Sequence, residues 1–276
     1  MDKNPGKGRP RNTPPQSALK RLLARLIMNR DAGLMHSLGT SEAYEAHKRI
    51  ILSKPFLKGI YGFYFEEMLK DIGELKGKKI VEVGAGAYNI SEACPEAITS
   101  NSAFNRFVDM VFDGERMPFG NLSLDAVVML NTLHHVPRPR LLFDEAARVL
   151  KPGGVLSMVE PYFSPFGRVI YTKLHHEPVF DTPPSWEMPP GESANQIAPY
   201  HIFVRDRDLF ERDYPGLKVE RVTVHTAVTH LLSGGLTYRG LVPGFLAPLV
   251  WALERALKPL RLKLGMCMTV VLRKAG

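Results

Sequence analysis

The sequence predicts an α/β protein with a mainly parallel β-sheet, and three observations carry this prediction. Short apolar segments alternate with helical segments from about residue 80 onward. The apolar segments are almost continuous, as expected for strands that are buried on both faces of a parallel sheet. The first clear strand, Ile80 to Val83, runs directly into a glycine turn with Gly84 and Gly86.

The composition is that of an ordinary globular chain. Its 276 residues, of which 45% are apolar and 23% charged, suffice for one large domain or one domain with additions. The two cysteines, Cys94 and Cys267, are too few for a disulfide framework, so we expect reduced thiols in a cytoplasmic protein. The polar and basic N-terminus shows no signal peptide.

The net charge of +8 is concentrated at the two ends of the chain. Residues 1–30 hold eight Lys and Arg against one acidic residue, and residues 241–276 hold six against one. The remaining 210 residues are therefore slightly acidic. This distribution points to tethering by the ends, and we expect no nucleic-acid partner.

The N-terminal region divides into two predicted parts. Residues 1–16 form a disordered basic arm, because they are rich in Pro, Gly, Lys and Arg. Residues 17–73 form helices, the first of which, over 17–30, is basic and amphipathic. That helix could lie on an anionic membrane or dock on its own domain. The helices of 41–72 begin at Thr40 or Ser41, break near Pro55 and Gly59, and could form a lid.

Residues 74–276 form the predicted main domain. An amphipathic helix before "KPGG" should end with Gly153 and Gly154 as C-cap and turn. An insertion of about 162–205 is rich in Pro and aromatic residues and is long enough to be functional. The segment 241–264 is an apolar, basic helix too short to span a membrane. The predicted strands are Ile80 to Val83, Ala97 to Thr99, Phe107 to Phe112, Ser123 to Leu130, Val155 to Pro161, Leu217 to Val228 and Gly265 to Lys274.

The order of motifs between Ile80 and Pro161 resembles the class I S-adenosylmethionine (SAM)-dependent methyltransferases, in particular the bacterial small-molecule (type 11-like) group. The resemblance rests on "EVGAG", "FDGERMPFGNLSLDAVVMLNTLHHV", "LKPGG" and a strand that ends in Glu160 and Pro161. It implies a Rossmann-like, seven-stranded, mostly parallel sheet with helices on both faces and an antiparallel last strand. It also implies an enzyme whose cofactor is SAM.

The resemblance assigns cofactor contacts residue by residue. Gly84 and Gly86 let the backbone approach the methionine part of SAM, and the amides that follow them, near a helix start, face its carboxylate. Glu82 lies beneath the loop and contacts the amino-acid end. Asp113 resembles the acid that pairs with the adenine amino group. The other implied cofactor residues are Gly114 beside Asp113, Asn131 after the fourth strand, and His134 as a wall of the pocket.

Two positions depart from the family pattern. Tyr88 replaces the third glycine, and binding is expected to survive this change because Gly84 and Gly86 make the close approach. Asn101, or its neighbour Ser100, stands where most members carry the acid that binds the ribose. An amide can bond a diol without the strength of a charged group. The same departures weigh against NAD, whose fingerprint needs a third glycine and an acid about 20 residues later.

Methyl transfer is an in-line displacement, and transfer to oxygen often needs a base. The candidate catalytic residues are His176, with His175 beside it, Tyr162 and Glu160. We expect no metal site, because adjacent histidine side chains generally point apart. The sequence therefore predicts a methyltransferase for a small-molecule or lipid- or sugar-linked acceptor, at oxygen, peripheral on the cytoplasmic face of a membrane. A catalytically degenerate domain that acts as a membrane-associated binding subunit is the alternative.

Overall fold

A single seven-stranded sheet forms the centre of the protein in the computed structural model, which describes Asn29 and residues 40–276 except His176 and Ala227. The spatial order is β3-β2-β1-β4-β5-β7-β6. The pairs from β3 to β5 are parallel, whereas β7 runs antiparallel to both β5 and β6. The strands are β1 (Ile80–Val83), β2 (Ile98–Asn101), β3 (Met110–Val111), β4 (Leu124–Leu130), β5 (Leu150–Pro161), β6 (Leu217–Thr226) and β7 (Gly265–Lys274). The predicted fold class is confirmed.

Helices cover both faces of the sheet because the central strands are apolar on both sides. Val127 and Met129 of β4 join one core with Phe143, and the alternate residues Ala126 and Val128 join the other. The helices are α1 (Ser41–Ser53), α2 (Pro55–Leu69), α3 (Pro139–Val149), α4 (Pro165–Lys173), α5 (Ala198–Tyr200), α6 (Arg207–Asp213), α7 (Val228–Ser233), α8 (Ala247–Ala256) and α9 (Arg261–Leu264).

The helix boundaries confirm some sequence signals and correct others. The Thr40 side chain accepts a hydrogen bond from the Ala43 amide, and Pro55 begins α2, both as predicted. Gly59 lies inside α2 and does not interrupt the helix, because its neighbours Phe56, Leu57 and Ile60 pack into the core. The C-cap of α3 is Leu150 rather than a glycine; Gly153, at φ +77°, lies in the first, irregularly paired part of β5.

The segment 241–264 is not one helix. Turns of 3₁₀ geometry at Gly244–Leu246 and Lys258–Leu260 separate α8 from α9 and from the preceding chain. Pro248 lies in the first turn of α8, where proline is tolerated. Pro259 lies in the second 3₁₀ turn, where its missing N–H prevents α8 from continuing. The predicted arm over 1–16 and the basic amphipathic helix over 17–30 lie outside the described residues, apart from Asn29.

Candidate active site

The glycine loop after β1 is shaped by one close contact and one open position. Gly84 has φ +79°, and a Cβ there would fall 2.2–2.8 Å from side-chain atoms of Thr132. A Cβ on Gly86 would meet nothing within 4 Å. Position 84 therefore needs glycine, because Thr132 from the loop after β4 leaves no room for a side chain. Gly86, by contrast, leaves space beside the backbone.

The helix expected after this loop is absent, so that prediction is wrong. Only a 3₁₀ turn, Ile90–Glu92, follows, and the Asn89 side chain caps it by accepting from the Ser91 amide at 3.2 Å. The Asn89 amide group also donates to the carbonyl oxygens of Gly86 and Phe107, each at 3.0 Å. The hydrogen bonds of the Asn89 side chain therefore hold the loop in place of a helix N-terminus.

Tyr88, which stands in place of the third glycine, belongs to the aromatic core. Its ring lies 5.9 Å from Phe65 in a stacked arrangement and 5.7 Å from Tyr61, edge to face. The side chain is 7% exposed, which leaves the Tyr88 backbone rather than its ring for the predicted cofactor contact. The departure from the family pattern therefore has a structural reason.

Glu82 and Asn101 hold the loop from below and from the side. Oε2 of buried Glu82 accepts from the Ile90 amide at 2.7 Å, and burial raises the pKa of Glu82 to about 7. The Asn101 amide group donates to the carbonyl oxygen of Ala85 at 2.9 Å, and its Oδ1 accepts from Ala103. The side chains of both predicted cofactor residues thus form hydrogen bonds with the backbone of the loop.

The adenine side of the predicted site lies after β3. Asp113 is exposed, and its Oδ1 accepts a local bond from the Glu115 amide. Gly114 is buried, and a Cβ there would stand 2.8 Å from Val83 and 3.1 Å from Leu142. Asp113 is therefore accessible from solvent, whereas the lack of a side chain at Gly114 serves packing in the core.

The loop after β4 is fixed by a buried carboxylate. Asn131 has φ +50°, a conformation that asparagine tolerates better than most residues. The amides of Thr132 and Leu133 donate to Oε1 of Glu160 at 2.7 and 2.6 Å, and Nδ1 of His134 lies 2.7 Å from its Oε2. Glu160 is 0% exposed, and these contacts position the loop after β4 and the ring of His134.

The insertion brings some of the predicted catalytic residues to this edge of the sheet. Tyr162 is buried beside Tyr200, with ring centres 5.5 Å apart, and burial raises the pKa of its phenol. His175 is partly exposed after α4, and its Nδ1 accepts from the Glu177 amide at 3.2 Å. His176, the first choice of the sequence analysis, lies outside the described residues.

The side chains of His134 and His135 lie close together, so the prediction that they point apart is wrong. Their ring centres are 4.2 Å apart, and both residues belong to the 3₁₀ turn Leu133–His135, which is separated from β4 by two residues. Glu177 faces both rings, at 3.5 Å from Nε2 of His134 and 3.7 Å from Nε2 of His135. No pattern of residue spacing signals this contact, because Glu177 is distant from the two histidines along the chain.

Comparison with known proteins agrees with this architecture. Residues 71–158 match the family model described as a methyltransferase domain. A demethylmenaquinone methyltransferase of Renibacterium salmoninarum is 31% identical over 119 residues, which are 37% of this chain and 50% of that protein. The chain thus matches half the length of this relative. The match confirms, for this part of the chain, the resemblance to a methyltransferase domain.

A solved structure shows the same fold over most of the chain. The geranyl diphosphate C-methyltransferase of Streptomyces coelicolor A3(2), solved with Mg²⁺, geranyl-S-thiolodiphosphate and S-adenosyl-L-homocysteine (SAH), superposes with a TM-score of 0.50. The alignment covers 95% of this chain and all of that chain, at 13% identity. At this identity the likeness supports the fold alone.

Proposed function

We propose that the protein transfers a methyl group from SAM to a small-molecule or lipid- or sugar-linked acceptor, at oxygen. One observation carries the proposal: the segment that matches a methyltransferase domain places its glycine loop against the loop after β4, through the contact of Gly84 with Thr132. In a parallel α/β sheet, ligands bind where such loops meet at the carboxyl ends of the strands.

The residues at this edge fit SAM, with roles that differ in part from the sequence-based assignment. The open side of Gly86 gives the cofactor access to the backbone, and exposed Asp113 is available to the adenine amino group. Asn131 follows β4, the strand that neighbours β1 on the side away from β2 and β3. Three further residues act indirectly, because they hold the glycine loop in place: Glu82, Asn101 and Tyr88. SAM supplies the electrophilic methyl group, and the chain aligns donor and acceptor.

The insertion supports an acceptor that carries negative charge. A cavity of about 380 Å³ is lined by Arg168, Val179, Asp181, Ile197, Tyr200, His201 and Arg205. Tyr200 connects it to Tyr162 at the end of β5. Arg205 is paired with Asp181 and Asp206, so Arg168 is the guanidinium group that favours an anionic group such as a phosphate. His175 and His176 of the insertion are the proposed bases for an acceptor hydroxyl.

An exposed apolar surface suggests that the acceptor is met at a membrane. Phe245, Leu249 and Leu253 recur at intervals of four residues and are 80%, 65% and 46% exposed. On the other side of α8, Val250 and Glu254 are buried against the domain. Leu241, Leu260 and Leu262 of the same segment are also exposed, at 68%, 46% and 61%. Contiguous apolar surface of this kind marks an interaction site.

The surroundings of this apolar surface favour an anionic bilayer as its partner. Arg255, Lys258, Arg261 and Lys263 lie within the same segment, and a concavity of about 370 Å³ is lined by Lys258, Pro259, Arg261 and Leu262. Asn29 donates hydrogen bonds to the carbonyl oxygens of Leu236 and Thr237. No helix among the described residues is long and apolar enough to cross a membrane.

Flotation of the full chain with phosphatidylglycerol vesicles at low salt tests the membrane proposal. We expect binding that falls with added salt, and Phe245→Asp should weaken it at least about tenfold, since a charge replaces an inserted ring. Phe104→Asp is the matched control, because Phe104 is 72% exposed elsewhere on the surface. Failure of the wild type to float, or equal losses in both variants, would contradict this surface assignment.

A second candidate function is a binding subunit that has lost catalysis. The observation in its favour is that the side chains of Tyr88 and Asn101 are engaged by the protein itself. Transfer of tritiated methyl from SAM to a lipid extract or a water-soluble extract separates the two. We expect label in a product of the wild type and none with Gly86→Leu. SAH binding without transfer to any acceptor would favour the binding subunit.

A further inference from the structure

Two imidazoles and one carboxylate converge where the insertion meets the loop after β4. The potential ligand atoms of His134, His135 and Glu177 all lie within 4.8 Å of one another. We propose that these three residues bind one divalent transition-metal ion, through Nε2 of each histidine and the carboxylate of Glu177. This proposal replaces the sequence-based expectation that the chain has no metal site.

The hydrogen bonds behind the two imidazoles direct their lone pairs toward Glu177. Nδ1 of His135 lies 2.9 Å from the carbonyl oxygen of Ser193, which can only accept, so the proton is on Nδ1. Nδ1 of His134 faces the carboxylate of Glu160 in the same way. In the neutral form, both Nε2 atoms are therefore acceptors. Three acceptors that face one another need either a metal ion or an added proton between them.

The surrounding shell matches that of a metal site. A ligating histidine usually donates its second ring nitrogen to a carboxylate or a carbonyl oxygen, and both arrangements are present here. The Glu160 carboxylate is itself held by the amides of Thr132 and Leu133, so His134 is rigidly placed.

Gln196 provides an independent observation. Its side chain is 3% exposed, and its Nε2 donates to Oε2 of Glu177. Within the described part of the chain, its Oε1 has no hydrogen-bond partner. A buried acceptor without a partner is costly, and a metal ion or a water bound to that ion would satisfy it.

The ligand types select the class of metal. Two imidazoles with one carboxylate suit Zn²⁺, Co²⁺ or Fe²⁺ rather than Ca²⁺ or Mg²⁺, which prefer oxygen ligands. Three protein ligands leave coordination positions open. A proton on His134 is the competing cation, because an imidazolium could bridge Glu160 and Glu177 without any metal.

The site has a structural consequence and a chemical one. An ion there would fasten Glu177 of the insertion to the end of β4. Its Lewis acidity would also lower the pKa of an acceptor hydroxyl bound to it. Only this second role rests on the proposed function; metal binding itself can be measured without SAM.

The test is Co²⁺ binding to the full chain after chelation and without SAM or SAH. We expect one Co²⁺ per chain, with visible d–d absorption that Zn²⁺ removes. Glu177→Gln should weaken binding about 100-fold, and His135→Ala should do the same, whereas Glu160→Gln, which changes only the hydrogen-bond partner of His134, should have a smaller effect. Glu192→Gln makes the same chemical change on an exposed carboxylate of the insertion and should leave Co²⁺ binding unchanged.

Each other outcome overturns the proposal. A folded wild type that shows no Co²⁺ absorption at millimolar metal would mean that a proton takes the place of the ion. Binding that survives both Glu177→Gln and His135→Ala would place the metal elsewhere. Thermal melting of each variant without metal shows whether the fold is kept. SAH binding measured in parallel separates a failure of this site from a failure of the proposed function.

Discussion

The main-chain amide of Ile90 donates a hydrogen bond of 2.7 Å to the carboxylate of Glu82, which is only 2% exposed. This bond connects the end of β1 with the turn that closes the glycine loop. Burial raises the pKa of Glu82 to about 7, and the bond from Ile90 opposes that rise in part. The loop is thus held by a carboxyl group that titrates near neutral pH.

The stability of the protein should therefore depend on pH through Glu82. Its pKa in the folded state exceeds the ordinary value of 4.5, so its contribution is complete below that value and is lost as the pH rises through about 7. We expect the wild type to lose about 3 kcal/mol relative to Glu82→Gln between pH 4.5 and 8. Urea unfolding of both proteins across this range measures the difference; a constant difference would contradict the assignment.

Replacing Gly84 and Gly86 by alanine should have unequal effects on stability. Gly84→Ala places an alanine in a left-handed backbone conformation and pushes its Cβ against Thr132. This should lower the free energy of unfolding by more than about 2 kcal/mol. Gly86→Ala enters open space and should change the free energy of unfolding little. Chemical denaturation of the two variants checks this order. Equal losses would mean that the Thr132 contact does not determine the loop.

Restoring the family's third glycine should harm the fold. Tyr88→Gly removes a buried ring from between Tyr61 and Phe65, which should destabilise the protein by about 3–5 kcal/mol. Tyr88→Phe keeps the ring and should cost far less. Thermal unfolding compares the two. If Tyr88→Gly proved as stable as the wild type, the structural reason given for this departure would be wrong.

The buried carboxylate of Glu160 should be needed for stability rather than for proton transfer. Glu160→Ala leaves the amides of Thr132 and Leu133 without their acceptor and should destabilise the protein by about 3 kcal/mol. Glu187→Ala, at an exposed position of the insertion, is the control and should be nearly neutral. The midpoints of urea unfolding of the two variants measure this difference in stability. A Glu160→Ala variant as stable as the control would return Glu160 to the catalytic candidates.

The sequence was most informative where local chemistry determines the structure. The strand Gly265–Lys274 and the cap at Thr40 follow from residues within the segments themselves. The loop after β1 was less predictable, because its path depends on the contact of Tyr88 with α2, an element that precedes the strand. The contact of Glu177 with His134 and His135 joins distant parts of the chain and has no signature in residue spacing.

Calorimetric binding of SAH to the purified full chain tests the central claim most directly. Gly86→Leu fills the open position beside the loop, and Gly120→Leu, at another glycine with open space around it, is the matched control. We predict one saturable site for SAH in the wild type and in Gly120→Leu, its loss in Gly86→Leu, and no binding of NAD. A folded wild type that binds neither SAM nor SAH would contradict the account and leave the non-catalytic binding subunit in its place.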